Sequence, residues 1–324
     1  MIEEGALAHV GGVCGPSEQP TGAIATAPAP ACPGCGAALE DAALLFEFGY
    51  AVGGRSLPVA LRRCKVCRFL YLSPRPNETA LRMRCATAYN RPSSSLVADR
   101  RGAMMARLLG TLEREDPRPR SLLDVGCASG QLLCLARERG WAVAGVEADT
   151  QGAAYARDRG LRVECRTSLS ECHFPPASFG AIVMVDSLYY FPDPAEELEQ
   201  ASQLLTPSGV VLIRLPSRQW IVSALCAVAT LMPSLRPRLG RIVFRCISDG
   251  LWSCHLPTLE GMLAHTGFTR VRTTLAEWAG GGPSAVAHLV RCFNGFAALL
   301  RLATLGKCRV STGVVVVARK GPPV

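Results

Sequence analysis

From Ser121 onward, short apolar runs alternate with stretches in which apolar residues recur at helical spacing. The short runs predict strands at Ser121–Val125, Ala142–Glu147, Leu161–Cys165, Phe179–Asp186 and Gly209–Leu215. The periodic stretches predict helices at Gly130–Arg139, Gln151–Arg159 and Pro194–Leu205. This alternation predicts an α/β fold, in which helices cover both faces of a mostly parallel sheet.

The pattern before the first strand divides that part of the chain into three segments. Residues 1–30 are rich in Gly, Ala and Pro and show no apolar period, which predicts a disordered tail. Residues 31–76 contain paired cysteines, and residues 77–118 form a helical linker around the periodic stretch Ser93–Glu115. The alternating region, residues 119–216, and a C-terminal segment, residues 217–324, complete the predicted organisation.

Two Cys-x-x-Cys pairs, Cys32 with Cys35 and Cys64 with Cys67, are separated by 28 residues. That spacing is typical of a zinc ribbon, in which four thiolates surround the ion tetrahedrally. The apolar runs "LFEFGY" and "RFLYL" predict the short strands of such a ribbon. Four thiolates leave no open position for a substrate, so the predicted zinc ion is structural.

The first predicted strand of the alternating region leads into a glycine-rich turn, "LLDVGCASGQLL". Gly126 and Gly130 fall at the carboxyl edge of the sheet, where a ligand can approach the backbone and a helix N-terminus. A dinucleotide site would require Gly-x-Gly-x-x-Gly to grip a pyrophosphate. Here the carboxylate of Asp124 precedes the turn, where it would repel a pyrophosphate but attract an ammonium or a sulfonium. S-adenosylmethionine carries both cations.

A second carboxylate, Glu147, ends the next predicted strand, 23 residues after Asp124. A carboxylate at this position can accept hydrogen bonds from ribose hydroxyls, which supports a nucleoside ligand without choosing between ligand classes. The cofactor-binding residues that we assign to this edge are Asp124, Gly126, Cys127, Gly130, Glu147, Ala148, Leu169 and Asp186. Within this set, we expect Cys127 to fill space in the loop.

Residues 119–216 resemble the class I S-adenosylmethionine-dependent methyltransferases. The resemblance lies in the glycine turn, in Glu147 and in two later stretches, "FGAIVMVDSLYYFPDP" and "LLTPSGVVLIRLPS". With the cysteine motifs added, residues 31–275 resemble bacterial zinc-ribbon methyltransferases, many of which act in sugar, cell-surface or natural-product pathways. The resemblance implies a Rossmann-like sheet of seven strands, mostly parallel, with "STGVVVVARK" as an antiparallel strand at one edge. It also implies a helical C-terminal cap and methyl transfer from S-adenosylmethionine.

The chain departs from this family on the side of the sheet where the methyl acceptor should bind. Tyr189 and Tyr190 stand where the family usually has an acid and a histidine, so the family's catalytic residues do not carry over. A base is needed only if the acceptor must lose a proton, and the candidates for it are Tyr189, Tyr190 and His255. Each also has a structural interpretation, the tyrosines as pocket walls and His255 as the cap of a following helix.

The net charge of +9 is concentrated in the last third of the chain, where residues 211–324 hold 14 Lys and Arg against three Asp and Glu. Two apolar stretches there, Trp220–Met232 and Ala285–Leu305, are compatible with helices that cap the pocket, with helices that lie on a membrane surface, or with ordinary packing against the sheet. We expect ordinary packing. An anionic group on a bulky body would match both features. The arginine cluster expected to contact it is Arg236, Arg238, Arg241 and Arg245.

We therefore expect a monomeric or homodimeric methyltransferase that acts on a small molecule or a carrier-linked metabolite. One alternative is an RNA methyltransferase, but the ribbon segment is not especially basic, so nucleic acid is not the expected partner. Another is a regulatory protein that binds S-adenosylmethionine without catalysis. The acidic start "MIEEGALAHV" and the 15 cysteines favour a cytoplasmic location.

Overall fold

The computed structural model describes residues 23–89, 95–247, 250–253, 255–276, 284–304 and 311–322. Its largest element is a seven-stranded sheet with the order β12-β13-β10-β9-β6-β7-β8. The strands are β6 (Ser121–Val125), β7 (Ala142–Val146), β8 (Arg162–Glu164), β9 (Phe179–Val185), β10 (Leu205–Pro216), β12 (Phe268–Ala276) and β13 (Gly313–Lys320). Strands β6 to β10 pair in parallel, and β13 runs antiparallel to both of its neighbours. The predicted sheet and its antiparallel strand are confirmed, but β13 lies one position inside the edge, which β12 forms.

Helices cover both faces of this sheet, because successive residues of its strands point to opposite sides. Leu122 packs into one hydrophobic core and its neighbour Leu123 into the other, as Val183 and Ile182 also do. The helices of the first face are α2 (Ser95–Glu113), α3 (Gln131–Glu138) and α4 (Thr150–Asp158). Those of the second face are α5 (Pro194–Leu204) and α8 (Leu256–His265). Ser93, the predicted start of α2, lies outside the described residues.

A second sheet of four strands has the order β11-β4-β3-β2 and is antiparallel throughout. Its strands are β2 (Ala42–Val52), β3 (Arg55–Cys64), β4 (Leu70–Leu72) and β11 (Trp252–Ser253). The sequence analysis predicted parts of β2 and β4 but not β3. Gly53 and Gly54 join β2 to β3, with φ of 55° and 73°. Positive φ at both positions is what a two-residue hairpin turn requires, and glycine supplies it without strain.

The C-terminal helices α6 (Gln219–Leu231) and α7 (Arg236–Ile247) pack on this smaller sheet. Val222 of α6 and Val243 of α7 are fully buried against Phe46 and Leu61 of the sheet. The segment predicted as a cap over the cofactor pocket therefore packs on the N-terminal sheet instead. A longer helix, α9 (Ser284–Ala303), follows β12.

The N-terminal end of the described chain is ordered further than the sequence pattern indicated. Strand β1 (Thr26–Ala27) pairs with β5 (Arg75–Pro76), and Ala29 is buried beside Ser73. The tail predicted for residues 1–30 is therefore wrong for its last part, and residues 1–22 lie outside the described residues. Helix α1 (Glu78–Tyr89) then begins the helical linker. Among the helices described, none has the length and apolar character needed to cross a membrane.

Candidate active site and metal centre

A cavity of about 580 Å³ opens at the carboxyl ends of β6, β7, β9 and β10. This is the edge at which open parallel sheets bind their ligands. The lining residues that the sequence analysis assigned are Gly126, Glu147, Ala148, Asp186, Tyr189 and Tyr190. Helices α1 and α2 add further walls, so the helical linker takes part in the site.

The two glycines of the turn serve different purposes. Gly126 lines the cavity with φ of 79°, and a Cβ at this residue would lie 2.5 Å from the Cβ of Ser187. A side chain there would be strained and would also collide with the opposite wall. Gly130 has φ of 76° and packs against Ala156 and Leu161 rather than lining the cavity. Gly126 gives access to the ligand, whereas Gly130 allows α3 and α4 to approach each other.

Asp124 and Glu147 are buried carboxylates at the ends of neighbouring strands. Burial, reinforced by the charge of Glu147, raises the pKa of Asp124 to about 7. Burial also raises the pKa of Glu147. The two oxygens of Glu147 accept backbone hydrogen bonds from Ala128 (2.6 Å) and Asp149 (2.9 Å). Those bonds fix the Glu147 carboxylate at the cavity wall, and they tie the glycine turn to the start of α4.

Asp186 ends β9 with φ of 56°, a left-handed conformation that aspartate tolerates better than most residues. Its Oδ2 pairs with Nη1 of Arg214, a buried arginine on β10. Its Oδ1 is buried without a hydrogen-bond partner, as is Oγ of the adjacent Ser187. Burial raises the pKa of Asp186, with Arg214 acting in the opposite direction. The sequence analysis missed Arg214, which stands alone in an apolar strand, an arrangement that could have signalled a buried pair.

Arg101 of α2 is a second arginine of the cavity that the sequence analysis missed. Its guanidinium lowers the pKa of both Asp124 and Asp186, although burial outweighs it at each carboxyl. The site therefore combines carboxylates with a cation held on a different element. No local motif marks Arg101, because only the packing of α2 on the sheet brings it to the cavity.

Tyr189 and Tyr190 form one wall, with ring centroids 4.7 Å apart. Tyr189 is buried, and the guanidinium of Arg218 lies 5.9 Å from its ring centroid. Phe191 and Leu81 extend the wall with apolar surface. This part of the cavity offers aromatic contacts and phenolic hydroxyls beside the charged groups.

Four other residues from the sequence analysis do not line the cavity: Asp124, Cys127, Leu169 and His255. Asp124 is buried beneath the wall. His255 begins α8, and its Nδ1 lies 3.0 Å from Oγ1 of Thr258, which donates to the carbonyl of Cys67. His255 occupies the N-cap position of α8, but its side chain makes no capping hydrogen bond to the helix backbone. It braces Thr258 beside the cysteine cluster instead. Cys127 is buried with its Sγ against Gly145, so it fills space as expected.

Leu169 is linked to the cavity through a neighbour. Its backbone N–H donates to Oε2 of Glu197 at 3.1 Å, and Glu197 does line the cavity. Burial raises the pKa of Glu197 to about 7. The sequence analysis did not single out Glu197, because an acidic residue in a helix usually faces solvent.

The arginines expected to hold an anionic acceptor lie elsewhere. Arg236, Arg238 and Arg241 belong to α7 on the smaller sheet and are absent from the cavity wall. The side chain of Arg245 lies outside the described part of the chain. The arginines that do line the cavity, besides Arg214, are Arg82, Arg101 and Arg166.

The four paired cysteines converge in space, with all their sulfur atoms within 4.8 Å of one another. The Sγ atoms of Cys32 and Cys67 are 3.6 Å apart, and those of Cys35 and Cys64 are 3.7 Å apart. Four thiolates around a tetrahedral zinc ion, with Zn–S bonds near 2.3 Å, would be about 3.8 Å apart. The cluster therefore has the chemistry and close to the size of a zinc site.

The two cysteine turns share one backbone conformation. In the first, Gly36 N donates to Cys32 O and Cys32 N donates to Ala37 O, both at 2.8 Å. The second turn repeats both hydrogen bonds, Arg68 to Cys64 (3.0 Å) and Cys64 to Phe69 (2.9 Å). Gly36 and Arg68 both have positive φ. Each turn thus presents its two sulfurs in the same way, as a shared ion requires.

Comparison with known proteins identifies the family of the chain. A family model described as "Methyltransferase domain" matches residues 96–273, more than half of the chain. A ubiquinone biosynthesis O-methyltransferase from Azoarcus sp. (strain BH72) is 27% identical over 107 residues, which cover 31% of this chain and 46% of that protein. Its namesake in Caulobacter vibrioides is 25% identical over 150 residues, covering 44% and 56%. The chain thus spans about half the length of these curated relatives.

Two solved structures with a similar fold are described as methyltransferases. One is an S-adenosylmethionine-dependent methyltransferase from Archaeoglobus fulgidus, at 16% identity and a TM-score of 0.45, covering 68% of this chain and 92% of that one. Another is phosphoethanolamine N-methyltransferase 2 from Haemonchus contortus in complex with S-adenosylmethionine, at 18% identity and a TM-score of 0.43, covering 67% and 53%. The family match over more than half of the chain shows that the chain belongs to the methyltransferase domain family.

Proposed function

We propose that the cavity binds S-adenosylmethionine at the carboxyl ends of β6, β7 and β9 and methylates a small-molecule or carrier-linked acceptor. The observation that carries this proposal is the pairing of opposite charges in one cavity. Asp186 and Glu147 line the cavity and offer carboxylates to a ligand's cations, and Asp124 is buried close enough to Glu147 for their charges to interact. Arg101 lines the same cavity and can pair with a ligand's carboxylate. The amino-acid end of S-adenosylmethionine has an ammonium and a carboxylate on one carbon, so it matches both signs.

Unpaired polar atoms at the cavity support this fit. Asp186 Oδ1 and Ser187 Oγ are buried without hydrogen-bond partners, and a buried polar group without a partner costs about 1–3 kcal/mol. Donors on a bound ammonium would remove that cost for Asp186. The absence of a side chain at Gly126 leaves room for the ligand beside these atoms.

Glu147 is suited to hold a ribose even though it already accepts two backbone hydrogen bonds. Each carboxylate oxygen has two lone pairs, so both oxygens of Glu147 keep an acceptor site for a hydroxyl. The backbone bonds hold the carboxylate in place before a ligand arrives, which lowers the entropy lost on binding.

When bound, the cofactor supplies an activated methyl group on sulfur. The contribution of the protein is to hold the acceptor in line with that group, an effect worth up to about 7–11 kcal/mol. We assign the acceptor to the wall formed by Tyr189, Tyr190 and Phe191, where aromatic faces can hold a ring and the phenols can orient a polar group. The names of the curated relatives favour a hydroxyl acceptor.

We further propose that Cys32, Cys35, Cys64 and Cys67 bind one structural zinc ion. The support is their convergence within 4.8 Å and the shared conformation of the two turns. The ion would join the first turn to the end of β3 and, through Thr258, to the start of α8. Its role is to stabilise a small sheet, since four thiolates complete its coordination.

Calorimetric titration with S-adenosylmethionine and, separately, with NAD tests the cofactor assignment. We expect binding of the first and none of the second. Arg101→Ala should weaken binding of S-adenosylmethionine about tenfold or more, because it removes a charge-assisted hydrogen bond. The matched control is Arg107→Ala, an exposed arginine of the same helix that does not line the cavity.

Transfer of a labelled methyl group from the cofactor to a lysate, followed by mass spectrometry of the product, tests the acceptor assignment. We expect the label in a small molecule or a carrier-linked metabolite. Tighter binding of NAD than of S-adenosylmethionine would refute the cofactor assignment. Label recovered only in RNA would refute the acceptor class.

A further inference from the structure

The turn between α6 and α7 exposes an apolar tip. Helix α6 fully buries only Val222 and Ala229, and Ile221, Leu225 and Cys226 are partly buried, although ten of its 13 residues are apolar. At its C-terminal end Leu231 is 82% exposed and Met232 is 55% exposed. Single exposed apolar residues are ordinary on protein surfaces, whereas Leu231 and Met232 are adjacent and form one exposed apolar pair at the end of the helix.

The charges next to this tip have one sign. Residues 219–247 contain four arginines and no aspartate or glutamate. Arg238 and Arg241 of α7 are exposed, and Arg236 donates to the carbonyl of Leu45 at 2.6 Å. That bond anchors the start of α7 to the smaller sheet. The tip therefore has a fixed base, an apolar end and cations beside it.

Helix α9 provides a second exposed apolar surface. Phe296, Leu299 and Leu302 are exposed at intervals of three residues, so they lie along one side of the helix. Trp220 of α6 and Phe293 of α9 stack with ring centroids 3.8 Å apart. The two helices that expose apolar side chains are thus in direct contact.

We propose that the α6–α7 tip docks on the surface of an anionic lipid bilayer. Leu231 and Met232 would enter the boundary between headgroups and acyl chains, while Arg238 and Arg241 pair with lipid phosphates. Exposed apolar residues with flanking arginines are the combination that binds at this boundary. Charge complementarity favours a bilayer over a protein partner, since the stretch lacks any acidic residue with which a protein surface of mixed charge could pair.

Co-sedimentation of the full chain with vesicles tests the proposal and requires no methyl acceptor. We expect binding to vesicles of phosphatidylcholine with phosphatidylglycerol, weaker binding as salt rises, and little binding to phosphatidylcholine alone. Leu231→Glu should weaken binding about tenfold or more, because a leucine is then no longer buried in the bilayer. Arg238→Ala with Arg241→Ala should weaken it about 25-fold, or about fivefold per charge, and reduce the salt dependence.

Matched controls separate docking from general surface effects. Tyr155→Glu adds the same charge at an exposed residue of α4. Arg107→Ala with Arg114→Ala removes two exposed arginines, one in α2 and one in the turn that follows it. Both controls should bind anionic vesicles as the unmodified chain does. The proposal would be overturned if the chain bound both kinds of vesicle equally, or if Leu231→Glu bound anionic vesicles as well as the unmodified chain. It would also be overturned if the chain bound no vesicles and instead formed a dimer that Leu231→Glu abolishes.

Discussion

Asp186 and Arg214 are joined twice, once by an ion pair between their side chains and once by a 2.9 Å hydrogen bond from Asp186 N to Arg214 O. The side chain of Arg214 is only 4% exposed, so the pair lies at the border between the core and the cavity. Arg214 holds one carboxylate oxygen, and the other is left for a ligand. The pair therefore positions Asp186 before any ligand is present.

Arg214→Ala should destabilise the protein by about 3–5 kcal/mol, because removal of one partner leaves a buried charge without compensation. Urea unfolding followed by circular dichroism would measure this change. The control is Arg118→Ala, whose ion pair with Asp116 is exposed and should contribute no more than about 0.5 kcal/mol. Equal effects of the two substitutions would contradict a structural role for the buried pair.

Gly126→Val should abolish binding of S-adenosylmethionine while the fold is retained. The valine would need a left-handed backbone and would collide with Ser187 at the cavity wall. Gly110→Val is the control, because a Cβ at that residue of α2 would meet no atom within 4 Å outside the adjacent backbone of the helix. Calorimetry reports binding, and circular dichroism checks the fold. A Gly126→Val protein that binds as tightly as the control would show that the cofactor does not approach this turn.

Purified protein should contain about one zinc ion per chain, measured by plasma mass spectrometry, because four thiolates form one closed site. Cys64→Ser should lose the ion and lower the melting temperature by several degrees, since the site joins β3 to the first turn. Cys292→Ser, at an exposed cysteine of α9, should change neither quantity. A metal-free preparation that melts at the same temperature as the loaded protein would contradict the zinc assignment.

Binding of S-adenosylmethionine should release protons near pH 6.5 and release far fewer near pH 8.5. In the free protein burial raises the pKa of Asp124 to about 7, so this carboxyl is largely protonated at the lower pH. A bound cation favours the ionised form and lowers that pKa, which expels the proton. At the higher pH Asp124 is already ionised, and it has no proton to lose.

The dependence of the binding enthalpy on the ionisation enthalpy of the buffer measures this release. Asp124→Asn should reduce the release at pH 6.5, whereas Asp158→Asn, at an exposed residue of α4, should leave it unchanged. The same release from Asp124→Asn as from the unmodified protein would assign the protons to another group, such as Glu197.

Features encoded by neighbouring residues could be predicted from the sequence. The cysteine turns are an example, because each closes within six residues and its spacing alone sets the positions of the sulfurs. The sheet was predictable for a similar reason, since the alternation of strands and helices restricts how a parallel sheet can form. Strand β3 carried a signal too, the Gly-Gly turn at residues 53–54, which the apolar pattern alone did not reveal.

Features created by packing between distant segments could not be predicted in this way. Arg101 reaches the cavity because α2 lies against the sheet, and nothing next to Arg101 in sequence indicates that position. The sequence pattern predicted that the C-terminal helices are apolar, but an apolar period does not indicate which sheet a helix will cover. The prediction also put His255 near the cavity, because it assumed that the C-terminal segment covers that site. In the structure His255 contacts Thr258 beside the second cysteine turn.

Strand β11 has a consequence for the order of assembly during synthesis. It completes the smaller sheet by pairing with β4, and Leu251 N donates to Tyr189 O at 2.8 Å at the active-site wall. Residues 252 and 253 leave the ribosome long after the cysteine turns and after most of the larger sheet. Until then the edge of β4 stays unpaired, and an open strand edge invites association with other chains. The first strands of the N-terminal sheet are therefore synthesised early and its last strand late. No single cleavage of the chain separates this sheet as an independent unit.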